Sequence, residues 1–102
     1  MQELKLNNEG LESIAKGKKF TTIRLGKRDI EIGYVVLVPV TRDRSPVIVT
    51  VDAVTYTTFG KLTSSQAIND GYRGVEELRE ALDNIYPGIK GSNIVTVIEF
   101  SL

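Results

Sequence analysis

Four short runs rich in β-branched residues, at 20–24, 34–40, 47–57 and 93–100, are interrupted by helical patterns and glycine stops. That punctuation within 102 residues limits the fold to a small mixed barrel rather than a βαβ sheet. The run at 34–40 opens after Gly33 and is unbroken in its apolar character, which predicts burial on both faces. The run at 93–100 alternates instead, placing Ile94, Thr96, Ile98 and Phe100 on one side and Val95, Val97 and Glu99 on the other. A polar turn is expected at 42–46, and the strand at 47–57 should bend or end near Gly60.

The helices are marked by their ends as well as by their periodicity. A first helix is expected over 9–16, capped by Asn7 or Asn8, with Glu9 and Glu12 at its positive end and Gly17 as a left-handed stop. Leu11, Ile14 and Ala15 form its buried stripe. Thr63 and Gln66 have capping-box spacing and should open a short helix that ends before Gly71. Val75, Leu78, Ala81, Leu82 and Ile85 recur at helical spacing, predicting a helix over 74–84 that Pro87-Gly88 terminates.

Composition narrows the chemistry. The chain holds no Cys and no His, which excludes a disulfide, a thiol nucleophile and any His-based triad, and removes the usual zinc ligands. Hydrolysis by such a chain falls to Lys, carboxylate, Tyr, Ser or Thr, with no cofactor and no metal expected. One domain over 1–102 accommodates the length. The longest apolar run is too short to cross a bilayer, no signal-like stretch is evident, and a cytoplasmic location is the expectation. The 13 basic and 13 acidic residues cancel, yet from Lys16 to Arg28 there are six cations and no acid. A local basic patch on a neutral chain suits a small nucleotide-like ligand better than a long duplex.

The segment from Gly17 to Arg24 gathers a glycine turn, cations and hydroxyls where a helix gives way to a strand. Strand parity puts Phe20, Thr22 and Arg24 on one face and Thr21 and Ile23 on the other. Lys18 is in phase with the first set, and Lys19 can share its site only from the turn before the strand. Arg is seldom buried alone, so that face is either solvated or lines a polar cleft. Asp70 before Gly71 suits a helix-stop turn as well as a catalytic role, and Tyr72 can stack on a base or pack over the barrel mouth. Tyr86 and Glu77 read as structural.

Gly17-Lys18-Lys19-Phe20-Thr21-Thr22-Ile23-Arg24 resembles the signature of the ASCH domain family, which is related to PUA domains of RNA-modifying proteins. Further matching pieces follow in the family's order: Gly33, Leu62-Thr63, Ala67, Asp70-Gly71-Tyr72, Glu77-Leu78, Ile85-Tyr86-Pro87-Gly88 and Val97-Ile98-Glu99-Phe100. The resemblance spans nearly the whole chain and implies an α+β fold, a small PUA-like mixed β-barrel flanked by short helices. The Ile-Tyr-Pro-Gly run is also that of the compact bacterial acetylcytidine amidohydrolases. Their proposed Lys, Thr and Glu fall on Lys19, Thr22 and the one-methylene-shorter Asp70. The implied activity is removal of the acyl group from 4-acetylcytidine or a related acylated nucleoside, with Lys18, Arg24 and Tyr72 binding the substrate. The alternative is a non-catalytic module that binds a nucleoside or single-stranded RNA in the same cleft; ribonuclease activity is a weaker third reading.

Overall fold

The computed structural model describes residues 1–41 and 43–102. Its elements run β1 (Gln2–Leu6), α1 (Asn8–Ala15), β2 (Thr21–Leu25), β3 (Gly33–Pro39), β4 (Val47–Thr58), a 3-10 turn (Phe59–Lys61), α2 (Ser64–Asn69), α3 (Val75–Ile85) and β5 (Ile94–Ser101). The polar turn expected at 42–46 begins on Arg42, which lies outside the described residues.

The strands form one sheet in the order β1-β3-β4-β5-β2, antiparallel except for the parallel β1–β3 pair. The edge strands are therefore β1 and β2. Leu4 and Leu6 of β1 share a core cluster with Ile98 and Phe100 of β5, although β3 and β4 lie between the two strands in the sheet order. That contact requires the sheet to curl, and the small mixed barrel expected from the strand pattern takes the form of a half-barrel with unpaired edges. Leu11 and Ile14 of α1 close the same cluster from one end.

A second cluster lies on the outer face of the curl, where α2 and α3 pack on β2 and β5. Ile23, Val95 and Val97 meet Leu62, Ala67, Leu78 and Leu82 there. The alternation expected for β5 is thus observed, with Ile98 and Phe100 turned into the curl and Val95 and Val97 under the helices. Burial of these side chains on both faces of β5 supplies the main drive for the two layers to assemble.

Three features differ from the sequence reading. The smallest is Ala15, which is exposed while Leu11 and Ile14 alone form the buried stripe of α1. Strand β1 was absent from that reading, because Leu4 and Leu6 alone make too short a period to register. Burial of the 34–40 run on both faces is also corrected. Val35 and Leu37 are fully buried, but Tyr34 and Val40 remain 67% and 61% exposed. The helices cover the β5–β2 end of the sheet, so the outer face of β3 gains no apolar cover. An apolar run records hydrophobicity without recording whether a partner exists for it.

Candidate active site

The start of β2 is fastened to the end of α2 by the Phe20 amide, which donates to the Asn69 carbonyl at 2.7 Å. Helix α2 begins at a capping box in which the Thr63 hydroxyl accepts from the Gln66 amide and the Gln66 side chain accepts from the Thr63 amide. It ends at Asp70, and Gly71 turns the chain with φ +91°. A side chain at Gly71 would be strained by that angle, although an added Cβ would meet the Lys18 carbonyl only at ordinary contact distance, 3.5 Å. These local constraints fix Asp70 against the residues that lead into β2.

There Asp70 Oδ1 takes two contacts. Lys19 Nζ lies 2.9 Å away as an ion pair, and the Thr21 hydroxyl donates at 2.7 Å. Lys19 Nζ also donates to the Asp70 carbonyl at 3.4 Å. The two charged side chains are 11% and 5% exposed, so the pair is nearly dry. Burial pushes the Asp70 carboxyl above its ordinary range, against the opposing pull of Lys19, Thr21 and Arg24. Lys19 precedes β2, in the position from which it can join the site. The shorter Asp70 side chain reaches it without the extra methylene of a Glu.

The other face of β2 carries different chemistry. Thr22 lies opposite Ile98 and Arg24 opposite Thr96 in the antiparallel pairing, so both point into the curl with Ile98. Arg24 Nη2 donates to the Lys5 carbonyl at 2.6 Å. This bond joins β2 to β1, the two edges that do not pair, and bridges the open seam of the half-barrel. Burial lowers the proton affinity of the Arg24 guanidinium, and Arg28 adds to the effect.

A pocket of about 340 Å³ occupies this seam. Its walls come from β1 and α1 on one side and from β2, the Asp70-Gly71-Tyr72 turn and α3 on the other. The volume falls in the range of small-molecule sites, ~300–1,000 Å³. Lys19, Thr22, Arg24, Asp70 and Tyr72 all line it. Tyr72 is half-buried, and its hydroxyl is pushed up by burial and by the nearby charges of Asp70, Glu9 and Glu77. Of the residues expected from the sequence, Lys18 alone is not brought in: it is exposed and outside the lining.

Three contributors escaped the sequence reading. Thr21, on the face opposite Thr22, is the hydroxyl that touches Asp70. Tyr86 lines the pocket although its motif reads as structural, and Lys5 enters through the unexpected β1. The Tyr86 signal was available in the Ile85-Tyr86-Pro87-Gly88 run; no local signal marks Thr21 or Lys5.

The basic run from Lys16 to Arg28 does not form one free surface. Lys16 pairs with Glu12 at 2.8 Å, Lys19 with Asp70, and Lys27 lies over the Tyr56 ring at 5.2 Å. Arg28 Nε donates to the Leu25 carbonyl at 2.9 Å. Among the described residues no cluster of acidic side chains is arranged to hold a metal ion, and no helix is long and apolar enough to cross a membrane.

No protein-family model and no curated protein matches the chain. Solved structures do. An ASCH domain from Lactobacillus crispatus superposes with a TM-score of 0.77 at 18% identity, over 92% of this chain and 70% of that one. A DUF984 protein from Enterococcus faecalis gives 0.70 at 14% identity, over 94% and 67%. The hypothetical protein PH0355 gives 0.75 at 21% identity, over 98% and 96%. Likeness at such low identity carries the architecture and not the activity: the chain has the fold of the ASCH domain.

Proposed function

We propose that the seam pocket is the active site of an amidohydrolase that removes the acyl group from 4-acetylcytidine or a closely related acylated nucleoside. The observation that carries this reading is the nearly dry Lys19–Asp70 pair lining the same pocket as Thr22, whose hydroxyl is not among the donors to Asp70 because Thr21 fills that role. The resemblance of Gly17–Arg24 to the ASCH signature, and of the Ile85-Tyr86-Pro87-Gly88 run to the acetylcytidine amidohydrolases, supports the same assignment.

The chemistry balances without His. Burial raises the proton affinity of Asp70, so moving a proton from Lys19 to Asp70 is less uphill than in water. The resulting Lys19 amine takes the Thr22 hydroxyl proton as Oγ1 attacks the acyl carbon. A C–O bond forms, and the carbonyl π pair moves to oxygen beside the new Lys19 ammonium. Collapse breaks the C–N bond while Asp70 returns its proton to the leaving nitrogen. Water then repeats the cycle on the acyl-Thr22 ester, giving a proton to Lys19 as Asp70 protonates Thr22 Oγ1. Arg24 and Tyr72 hold the nucleoside, with Tyr72 against the base.

Chromatographic turnover of 4-acetylcytidine tests the assignment. Wild type should release cytidine, Thr22→Ala should lower kcat by about 10³-fold or more, and Thr22→Ser should retain turnover because it keeps the nucleophile. Binding of cytidine without any turnover by wild type would sink the hydrolase. A nucleotide-binding module would then be the better account.

A further inference from the structure

The charges of the seam pocket do not cancel along its length. At one end Lys19 and Asp70 neutralise one another at 2.9 Å. Beyond that pair the lining carries Arg24, with Arg28 close enough for its charge to be felt, and Lys5, whose carbonyl takes the Arg24 bond. Among the described residues no carboxylate lies within 4.0 Å of any of these three cations. The remaining acid of the lining, Glu9, stands by Tyr72 and raises its hydroxyl, and it is not among the charges felt by Arg24.

Arg24 is the informative member. A guanidinium has five N–H donors in a planar fork, and among the described residues Arg24 makes one bond, to the Lys5 carbonyl. The group is partly removed from water, and that burial has lowered its proton affinity. A partly desolvated cation with free donors and no carboxylate in contact, feeling Asp70 only at a distance, is costly to keep unless a ligand supplies a nearer anion. Arg24 and Thr22 point to the same side of β2, two residues apart. Their Cα atoms are thus about 7 Å apart before the arginine's reach is added. That separation suits a ligand with its acyl group at one end and its charge at the other.

We infer that the substrate carries a terminal phosphate, held by Arg24 in the positive field that Arg28 adds to: an acylated cytidine 5′-monophosphate rather than the neutral nucleoside. The inference rests on the amidohydrolase reading for the acyl end and on the unpaired cations for the phosphate end. A neutral base carbonyl would satisfy one Arg24 donor but would leave the charge unmatched.

Isothermal titration with cytidine 5′-monophosphate and with cytidine reads the phosphate end alone, because neither carries an acyl group. Wild type should bind the monophosphate at least about 10-fold more tightly, as charge-assisted bonds to phosphate warrant. Added salt should narrow the gap, and inorganic phosphate should compete with the monophosphate. Arg24→Gln should bring the ratio close to one, while Arg24→Lys should keep part of it, and thermal melting establishes that each variant is folded. Equal affinity of wild type for the two ligands overturns the inference, as does a ratio unchanged in folded Arg24→Gln. Turnover assays separate the two claims. Equal hydrolysis of 4-acetylcytidine and its 5′-monophosphate removes the phosphate preference and leaves the hydrolase. An Arg24-dependent binding ratio with no hydrolysis of either compound does the reverse.

Discussion

Two aspartates in this molecule accept nearly the same set of hydrogen bonds and respond in opposite ways. Asp43 takes the Thr41 hydroxyl and, at 3.1 Å, the Asn8 side-chain amide. Asp70 takes the Thr21 hydroxyl at 2.7 Å and the Lys19 ammonium at 2.9 Å. Asp70 has the stronger partner, a full positive charge. Yet the Asp43 carboxyl is held below its ordinary range, by Thr41 first and then Asn8, whereas the Asp70 carboxyl is pushed above it by burial. Asp43 stands at the surface and keeps its hydration, so its donors act as a net gain. Asp70 has exchanged water for two donors, and they do not make up the loss. Burial decides which carboxylate keeps its proton to higher pH.

The comparison breaks most severely at Lys19. In Lys19→Met the stem is replaced by a similar apolar volume, but the Asp70 charge loses its counter-ion inside the protein. Removing one partner of a buried pair costs about 3–5 kcal/mol, and the urea midpoint should fall accordingly with little change in slope. A loss below about 1 kcal/mol would mean that Asp70 is as well hydrated as Asp43 and that the contrast is false.

Thr21→Val probes the same cluster more gently. It leaves the ion pair in place and removes one donor from a fully buried position. The expected cost is about 1–2 kcal/mol, read by the same denaturation. A null result would assign the whole stabilisation of Asp70 to Lys19.

How much of this could be read from the sequence depended on whether the cause was local. The Thr63–Gln66 capping box, the stop at Gly71 and the alternation of Val95 to Phe100 are written in adjacent residues, and the structure carries all three. Parity along β2 likewise placed Thr22 and Arg24 on one side, and Lys19, ahead of the strand, lines the same pocket. The seam was not legible, because it arises from the approach of β1 and β2, strands that do not pair and are linked by the Arg24–Lys5 bond. Thr21 was passed over for a related reason. Its parity points it away from Thr22, and only the docking of α2 on the outer face brings Asp70 to meet it. Lys18 has the right parity but precedes the strand, where alternation no longer governs direction.

The smallest expected effect is also the one that tests the comparison by sign. For Asp43 the folded protein binds fewer protons than the unfolded chain between its lowered value and the ordinary aspartate value. Its contribution is therefore present above the ordinary value and is lost as pH falls through the lowered one. Asp70 behaves in the opposite sense. Its carboxyl is raised, so the folded protein keeps the proton to higher pH than the unfolded chain does. Its contribution is fully present below the ordinary value and is lost as pH rises through the raised one. Denaturation midpoints measured across the acid range should show both limbs. Asp43→Asn should soften the loss of stability at the acid end, leaving part of it because Glu12 is also held low by Lys16. Asp70→Asn should remove the decline on the other side of the ordinary value, since an amide has no proton to lose there. If both substitutions change the curve in the same direction, hydrogen-bond donors rather than burial set the proton affinity of Asp70, and the proton relay assigned to it loses its physical basis.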